Sequence, residues 1–321
     1  MAEHANAPDR LAGMQPIAGG AFTMGSIKGY PEEAPLRRVS VDDFWIDTAP
    51  VTNRQFARFV AETKHVTTAQ IAPDPKDYPD MLPGMDRAGS LVFTKPAGPV
   101  PLTEYHHWWH FVFGADWRHP YGPESDLDAL DLWDHPVVHV SWHDAAAYAR
   151  WAGKELPTEA EHEFAARGGL DGAEFAWGDE LAPEGRMMAN YWQGLFPFAN
   201  TREDGWERTS PVGSFPANGH GLYDMIGNVW EWTQDWWEET PATPRKKSAQ
   251  ACCTISNPRG GKLKDSFDPA QPQIRIGRKV LKGGSHLCAA NHCQRYRPAA
   301  RHPEMIDTST SHIGFRCIVR K

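Results

Sequence analysis

Lys282-Gly-Gly-Ser285-His-Leu-Cys288-Ala-Ala-Asn-His-Cys293-Gln-Arg-Tyr296-Arg297, with Pro298 behind it, sets two thiols five positions apart between a glycine pair and a proline. On an ideal helix, at ~100° per residue, that offset turns the two side chains about 140° away from each other. A regular helix therefore cannot close both on one ion, and Gly283-Gly284 and Pro298 agree with an irregular loop. The gap between the thiols is longer than that of a redox Cys-x-x-Cys or a zinc knuckle, and no second Cys-x-x-Cys completes a tetrahedral set. Zinc fits less well than a soft monovalent ion such as Cu(I), which accepts two thiolates and leaves room for a third sulfur. By spacing alone the pair is equally two unreactive buried cysteines.

Outward from this loop, regular structure is sparse. Thr52-Asn-Arg-Gln55 is a capping box followed by Phe56, Phe59 and Val60, a stripe that predicts a helix to about His65. Ser141-Trp-His-Asp144 is a looser box that leads into an Ala-rich helix with Tyr148 and Ala149, stopping near Gly153. Thr158-Glu-Ala-Glu161 starts a third helix, with Phe164 and Ala165 inward and Gly168-Gly169 at its end. Strand candidates are Arg37 to Ile46, Val137 to Val140, Val280 to Lys282 and Gly314 to Val319. Pro/Gly-broken stretches such as Ile71 to Pro101 separate them, with no internal repeat and no low-complexity linker. The reading is α+β with abundant irregular backbone, whose carbonyls need partners other than regular ladders.

Composition bounds the function. A chain of 321 residues, 40% hydrophobic and 23% charged, is an ordinary soluble globule within the range of one large domain. Fourteen tryptophans must line a broad core or an aromatic groove. A net charge of −8 argues against a nucleic-acid surface, and a mean hydropathy of −0.57 argues against membrane spans. The polar opening, Met1 to Arg10, does not read as a secretory segment, and five cysteines leave at least one unpaired, so the expected compartment is the cytoplasm.

Oxygen donors also cluster. Asp224-Met-Ile-Gly227-Asn-Val229-Trp-Glu231 places two carboxylates seven apart around a glycine turn, and Asn190-Tyr191 with Asp204-Gly-Trp206 offers a second set. Either makes an oxygen cage for Ca²⁺ if backbone carbonyls join in. Acidic residues beside glycine are more often solvated turns, so spacing alone does not decide.

Four runs go further: His135-Pro-Val-Val-His-Val-Ser141-Trp142; Trp151-Ala-Gly-Lys-Glu-Leu-Pro157-Thr-Glu-Ala-Glu161; Gly221-Leu-Tyr-Asp-Met-Ile-Gly-Asn228-Val-Trp230-Glu-Trp232; and the terminal loop with its Arg295-Tyr-Arg, Ala299-Ala-Arg301 and Gly314-Phe-Arg-Cys317. Together they resemble the formylglycine-generating enzymes of bacterial type, the sulfatase-modifying factors. The likeness runs from about Met14 to Arg320 and includes Gly19 to Gly25 and Trp117 to Pro123. It implies one irregular α+β domain of the C-type-lectin-like fold over residues 14–321, low in regular secondary structure, after a disordered or extended tail of residues 1–13.

The resemblance implies oxidation of a cysteine in a Cys-x-Pro-x-Arg motif to Cα-formylglycine with O₂, the client being an unfolded or nascent sulfatase and the enzyme a monomer. Cys288 and Cys293 would hold Cu(I), and the client thiolate would become a third ligand. An older reading makes the same thiols a metal-free pair working by disulfide exchange. Ser285 matches an active-site serine and Trp230 a pocket tryptophan. Asn190, Tyr191, Asp204 and Trp206 match one structural calcium site, and Asp224, Gly227, Val229 and Glu231 the other. The alternatives are a catalytically silent peptide-binding paralogue and another O₂-dependent sulfur-oxidising enzyme on the same fold, such as an iron sulfoxide synthase, whose added helical domain and histidine-rich site have no counterpart here.

Departures from the family pattern surround the thiols. His292 replaces a common tyrosine, Ala289 a common histidine and His312 a frequent asparagine, which makes His292 and His312 candidates for substrate positioning. The family partner of Cys317 falls at Ala149, and another family pair falls at Ala166 and Pro298, so Cys317 is expected as a free buried thiol. Cys252-Cys253 matches a stretch in bacterial members and suggests no role. The thiol pair itself is expected at an accessible surface, where its loss costs chemistry and not core.

Overall fold

The computed structural model describes residues 10–239 and 254–321; residues 1–9 and the Cys252-Cys253 pair lie outside the described residues. The three expected helices, α1 (Asn53–Thr63), α2 (Trp142–Trp151) and α3 (Glu159–Arg167), each begin in a complete capping box. Thr52, Ser141 and Thr158 accept from the third helical N–H, and Gln55, Asp144 and Glu161 reach back to the cap. Left-handed Lys64 and Gly168 end α1 and α3.

Twelve short strands are described: β1 (Met14–Ile17), β2 (Gly20–Met24), β3 (Arg37–Val41), β4 (Phe44–Asp47), β5 (Gly89–Phe93), β6 (Trp109–Phe113), β7 (Trp230–Trp236), β8 (Ile255–Ser256), β9 (Arg278–Lys282), β10 (Arg301–Met305), β11 (Ile313–Gly314) and β12 (Ile318–Arg320). They form the sheets β1-β4-β12, β2-β3-β8 and β10-β9-β7-β11, with a separate hairpin β5-β6. Three strand expectations need correcting. Arg37 to Ile46 is two strands in two sheets, because Asp42 N–H donates to Asn257 Oδ1 and Asp43 Oδ1 accepts from Gly19 N–H, turning the chain between them. Gly314 to Val319 likewise divides between β11 and β12. Val137 to Val140 is no strand: His139 sits at φ 59°, with its ring nitrogens on Ser90 Oγ and Pro120 O.

The largest apolar cluster joins Phe56 and Phe59 of α1 and Tyr148 of α2 to Trp117, Trp230, Trp232, Tyr296 and Phe315. A second packs Ala160, Ala165 and Ala166 of α3 on Phe22, Val39, Phe44 and Ile46. The other face of α3 is charged and still buried. Arg301, Lys282 and Glu231 lie in one row across β10, β9 and β7, and α3 lays Glu159, Glu163 and His162 over them. Glu159 Oε1 is 2.7 Å from Arg301 Nε, Glu163 Oε2 is 3.0 Å from Lys282 Nζ, and His162 Nε2 is 3.1 Å from Glu231 Oε2. Arg167 reaches Glu163, and Arg316 grips Glu231 through Nε and Nη2. The loop of the two thiols is the connection from Lys282 to Arg301, so α3 clamps both its ends.

Burial alone would push the Glu163 carboxyl up; Lys282, Arg167 and the Gly25 N–H together hold it at about 2. That lies below the ordinary ~4.3 of an unfolded glutamate, so its contribution is complete above that value and is lost as pH falls toward 2. Glu163→Gln leaves Lys282 buried without its nearest counter-ion and is expected to cost about 3–5 kcal/mol in urea unfolding at pH 7. The deficit should shrink as the pH is lowered from 5 toward 2; a deficit under ~1 kcal/mol at pH 7 would show that the clamp is dispensable.

Candidate thiol site

The site loop is shaped by its glycines. Gly283 and Gly284 have φ of 90° and 73°, and a Cβ on Gly284 would lie 2.5 Å from Arg295 O. The two arms of the loop can approach this closely only with glycine there. Between them the chain turns: Cys288 N–H donates to Ser285 O and Cys293 N–H to Ala289 O, both at 2.9 Å. The five-residue offset that a helix would spread apart is thereby folded back. Cys288 Sγ and Cys293 Sγ lie 3.4 Å apart, both as free thiols. The loop is braced from outside by Trp192 N–H on Cys288 O and by a two-way amide pairing of Asn291 with the Phe196 backbone.

The two sulfurs have unequal surroundings. Cys288 is 2% exposed and belongs to the main core, and Cys293 is half-buried at its edge. The expectation of an exposed pair is thus wrong for Cys288, because the loop folds it into the main apolar core. Burial pushes the Cys288 thiol well up, and neighbouring Cys293 pushes it further. Cys293 goes down: the hydrogen bond from Cys288 lowers it and the Arg295 guanidinium adds to that, against burial. Arg295 Nη1 is 3.7 Å from Cys293 Sγ, and Arg295 is itself held by Glu32 at 2.5 Å and by the Tyr30 ring at 3.6 Å. Tyr30 Oη also accepts from Gln294 N–H. The sequence reading noted Arg295 only as part of the family run and missed Glu32 and Tyr30 altogether: those two lie more than 250 positions away in the chain, and nothing local marks them.

The other expected residues surround this pair. Ser285 Oγ accepts from Leu287 N–H at 3.2 Å and lies 3.0 Å from His312 Nδ1. Burial, with His286, His302 and His139 nearby, pushes His312 well below the ordinary histidine range, so it is neutral at pH 7. Its ring packs on Trp109 at 4.8 Å. His292 stacks on Phe196 at 4.7 Å, with the edge of Trp108 beside it. Trp230 is buried in the same cluster as Cys288 and lies 5.8 Å from His302, which the sequence reading also missed. Ala289 is fully buried in a bridge with Trp192. Cys317 is a free buried thiol, as expected.

A soft cation fits the sulfur pair: two thiols face each other at hydrogen-bond distance, with a guanidinium beside the more acidic one. The first oxygen set also converges, since the Gln193 amide nitrogen touches both Tyr191 O and Asp204 Oδ2. Burial raises the Asp204 carboxyl, and only hydrogen bonds oppose it. Asn190 Nδ2 donates to Arg208 O, and Trp206 N–H donates to Asp204 Oδ1. A half-buried carboxylate with no cationic side chain on it, facing a backbone carbonyl, keeps the negative charge and oxygen ligands that a hard cation needs. The second set does not fit. Both Glu231 oxygens are held by Arg316, one of them shared with His162, so the charge a calcium ion would need is already neutralised. Asp224 accepts from Gly213 N–H, burial carries its carboxyl up to about 6, and Gly227 and Val229 flank Asn228 in the same turn.

Arg295→Ala removes the cation beside Cys293, so less of that thiol is ionised at pH 7. Iodoacetamide labelling of Cys293, followed by peptide mass mapping on the metal-free chain, is expected to slow about three- to ten-fold, with Cys288 labelled more slowly in both proteins. Equal Cys293 rates would show that Arg295 does not tune it.

Comparison with known proteins places the chain in a family. A family model described as the sulfatase-modifying factor enzyme 1-like domain matches residues 2–321. The chain is 52% identical over 306 residues to the formylglycine-generating enzyme of Mycobacterium tuberculosis, covering 94% of this chain and 96% of that protein. It is 43% identical over 319 residues to the formylglycine-generating enzyme of Mus musculus, covering 97% and 76% respectively. Among solved structures, PvdO from Pseudomonas aeruginosa shares the fold with a TM-score of 0.57 at 23% identity, over 96% of this chain and 94% of that one. A free, facing thiol pair in a clamped loop and a match over nearly the whole length lead to one assignment: the chain belongs to the formylglycine-generating enzyme (sulfatase-modifying factor) family.

Proposed function

We propose that this chain oxidises a cysteine in a Cys-x-Pro-x-Arg segment of an unfolded or nascent sulfatase to Cα-formylglycine, using O₂ and one Cu(I) held by Cys288 and Cys293. The observation that carries the reading is the 3.4 Å separation of two free sulfurs, one buried and one half-buried at the edge of the core, in a chain of this family. Copper, when bound, supplies the one-electron chemistry that lets O₂ react. The balance is explicit. The client –CH₂SH and water become –CHO and H₂S, releasing two electrons and two protons; O₂ takes four electrons to form two waters, and an external thiol supplies the remaining two.

The chain's own residues prepare that step. Arg295 favours the thiolate of Cys293, so that ligand gives up its proton readily, while buried Cys288 holds its own more tightly. Ser285, pinned between an amide donor and a neutral imidazole, presents a fixed hydroxyl for orienting the client sulfur. Trp109, Trp108 and Phe196 back His312 and His292 with apolar surface that excludes water from the reacting centre. One calcium ion at Asn190, Tyr191, Asp204 and Trp206 would brace the segment whose Trp192 holds Cys288 O. The site of action is proposed as the cytoplasm and the active form as a monomer; no helix among the described residues is long and apolar enough to cross a membrane.

The direct test incubates a Cys-x-Pro-x-Arg peptide with copper-loaded protein, O₂ and a thiol reductant, then reads peptide mass and aldehyde reactivity. Aldehyde should form with the intact chain and not with Cys288→Ala or Cys293→Ala, and a Cu(I) chelator competition should show one tight copper per intact chain and none in Cys293→Ala. An unchanged peptide would leave the family fold without this chemistry. Calcium chelation should lower the melting temperature while copper stays bound. At a hundredfold excess over Kd, calcium contributes about 2.7 kcal/mol. An Asp204→Ala variant that still responds to the chelator would place the ion elsewhere.

A further inference from the structure

Glu104-Tyr105-His106-His107 puts three metal-binding side chains in four residues, immediately before Trp108 and Trp109 in the chain. The turn Tyr105–His107 is a 3-10 helix, in which positions i and i+3 eclipse. Glu104 therefore lies over His107, with Oε2 3.1 Å from His107 Nε2. His106 turns to the same oxygen, its Nε2 3.7 Å away, and the two imidazole centroids are 4.3 Å apart. One ligand atom from each of the three lies within 4.8 Å of the others. Ligands at 2.0–2.2 Å from a shared tetrahedral ion stand roughly 3.3 Å apart, so a small side-chain rotation closes the set.

The turn is held before any ion arrives. Glu104 N–H donates to Pro101 O, His107 N–H to Glu104 O and Trp108 N–H to Tyr105 O, each at 3.1 Å. Trp108, 1% exposed, meets Tyr105, Phe196 and His292 edge-on. Glu104 and His106 are exposed and His107 partly so, which leaves coordination positions open to water.

We infer that Glu104, His106 and His107 form a site for a borderline divalent transition ion, Zn²⁺ by donor chemistry, in the turn that leads into Trp108 and Trp109. Two imidazoles and a carboxylate match zinc with an open fourth position. The set has too few oxygens for calcium and no sulfur for Cu(I), so it is distinct from both proposed sites. An ion here fastens the turn leading into Trp108 and Trp109, whose rings pack on His292 and His312, and so stiffens the aromatic surface behind those two histidines.

Zn²⁺ is titrated calorimetrically into the full chain carrying Cys288→Ala and Cys293→Ala, and into the same chain with His106→Ala and His107→Ala added. The first should bind one more equivalent than the second, or bind that equivalent at least ten-fold more tightly. Co²⁺ in its place should give d–d absorption that disappears with the two histidines and carries no thiolate charge transfer. The three side chains lie at the surface, so metal-free melting temperatures should coincide; if the double variant is unstable, Glu104→Gln reads the same loss. Equal stoichiometry and affinity, or a cobalt signal arising only from thiolate, overturns the site.

Discussion

Lys282 and Arg301 stand directly opposite each other across β9 and β10, two buried cations whose charge is balanced as α3 lowers Glu163 and Glu159 onto them. The carboxylates are four residues apart and so share one helical face, matching the spacing of neighbouring strands in the sheet. Every residue of the thiol loop lies between those two cations. Arg297 on Glu33 and Arg295 on Glu32 tie the loop to the 3-10 turn Pro31–Glu33 as well. Desolvation makes buried ion pairs poor sources of net stability, and an apolar replacement of the whole set would not by that reasoning unfold the protein. Their effect is on geometry: a charge shifted by one residue is left unpaired, so the loop has one register.

Within that frame the two thiols become unlike although the sequence presents them alike. Cys288 is folded into the core and keeps its proton, while Cys293 has an arginine beside it and gives its proton up more readily. One sulfur anchors and the other meets what enters, an arrangement suited to a soft ion that must later accept a third ligand. The second oxygen set shows the opposite case. Glu231 belongs to the buried charge row, and its engagement with Arg316 removes it from cation binding even though its spacing from Asp224 looks right in the chain.

Much of this was legible from residues alone. The three capping boxes located the helices because the cap, the third helical position and the first apolar turn are all local. Glycines and Pro298 showed that the thiol segment bends. The strands were poorly legible: most are five residues or fewer, and their partners are remote, as in β1 with β4 and β12. Short ladders offer too few alternations for a period to show. His139 defeated the strand expectation for its segment because its side chain finds partners in two other parts of the chain.

The sequence by itself determined the irregular α+β class, the helix starts, the bend in the thiol loop and the identity of its two sulfurs, since each follows from neighbours a few residues apart. Only the tertiary structure decided which sulfur is buried, that Arg295 with Glu32 and Tyr30 attends the other, and that Glu231 is already spent on Arg316. Those outcomes depend on groups far apart in the chain, and their protonation and ligand capacity are set by desolvation and nearby charge, which exist only once the chain has folded.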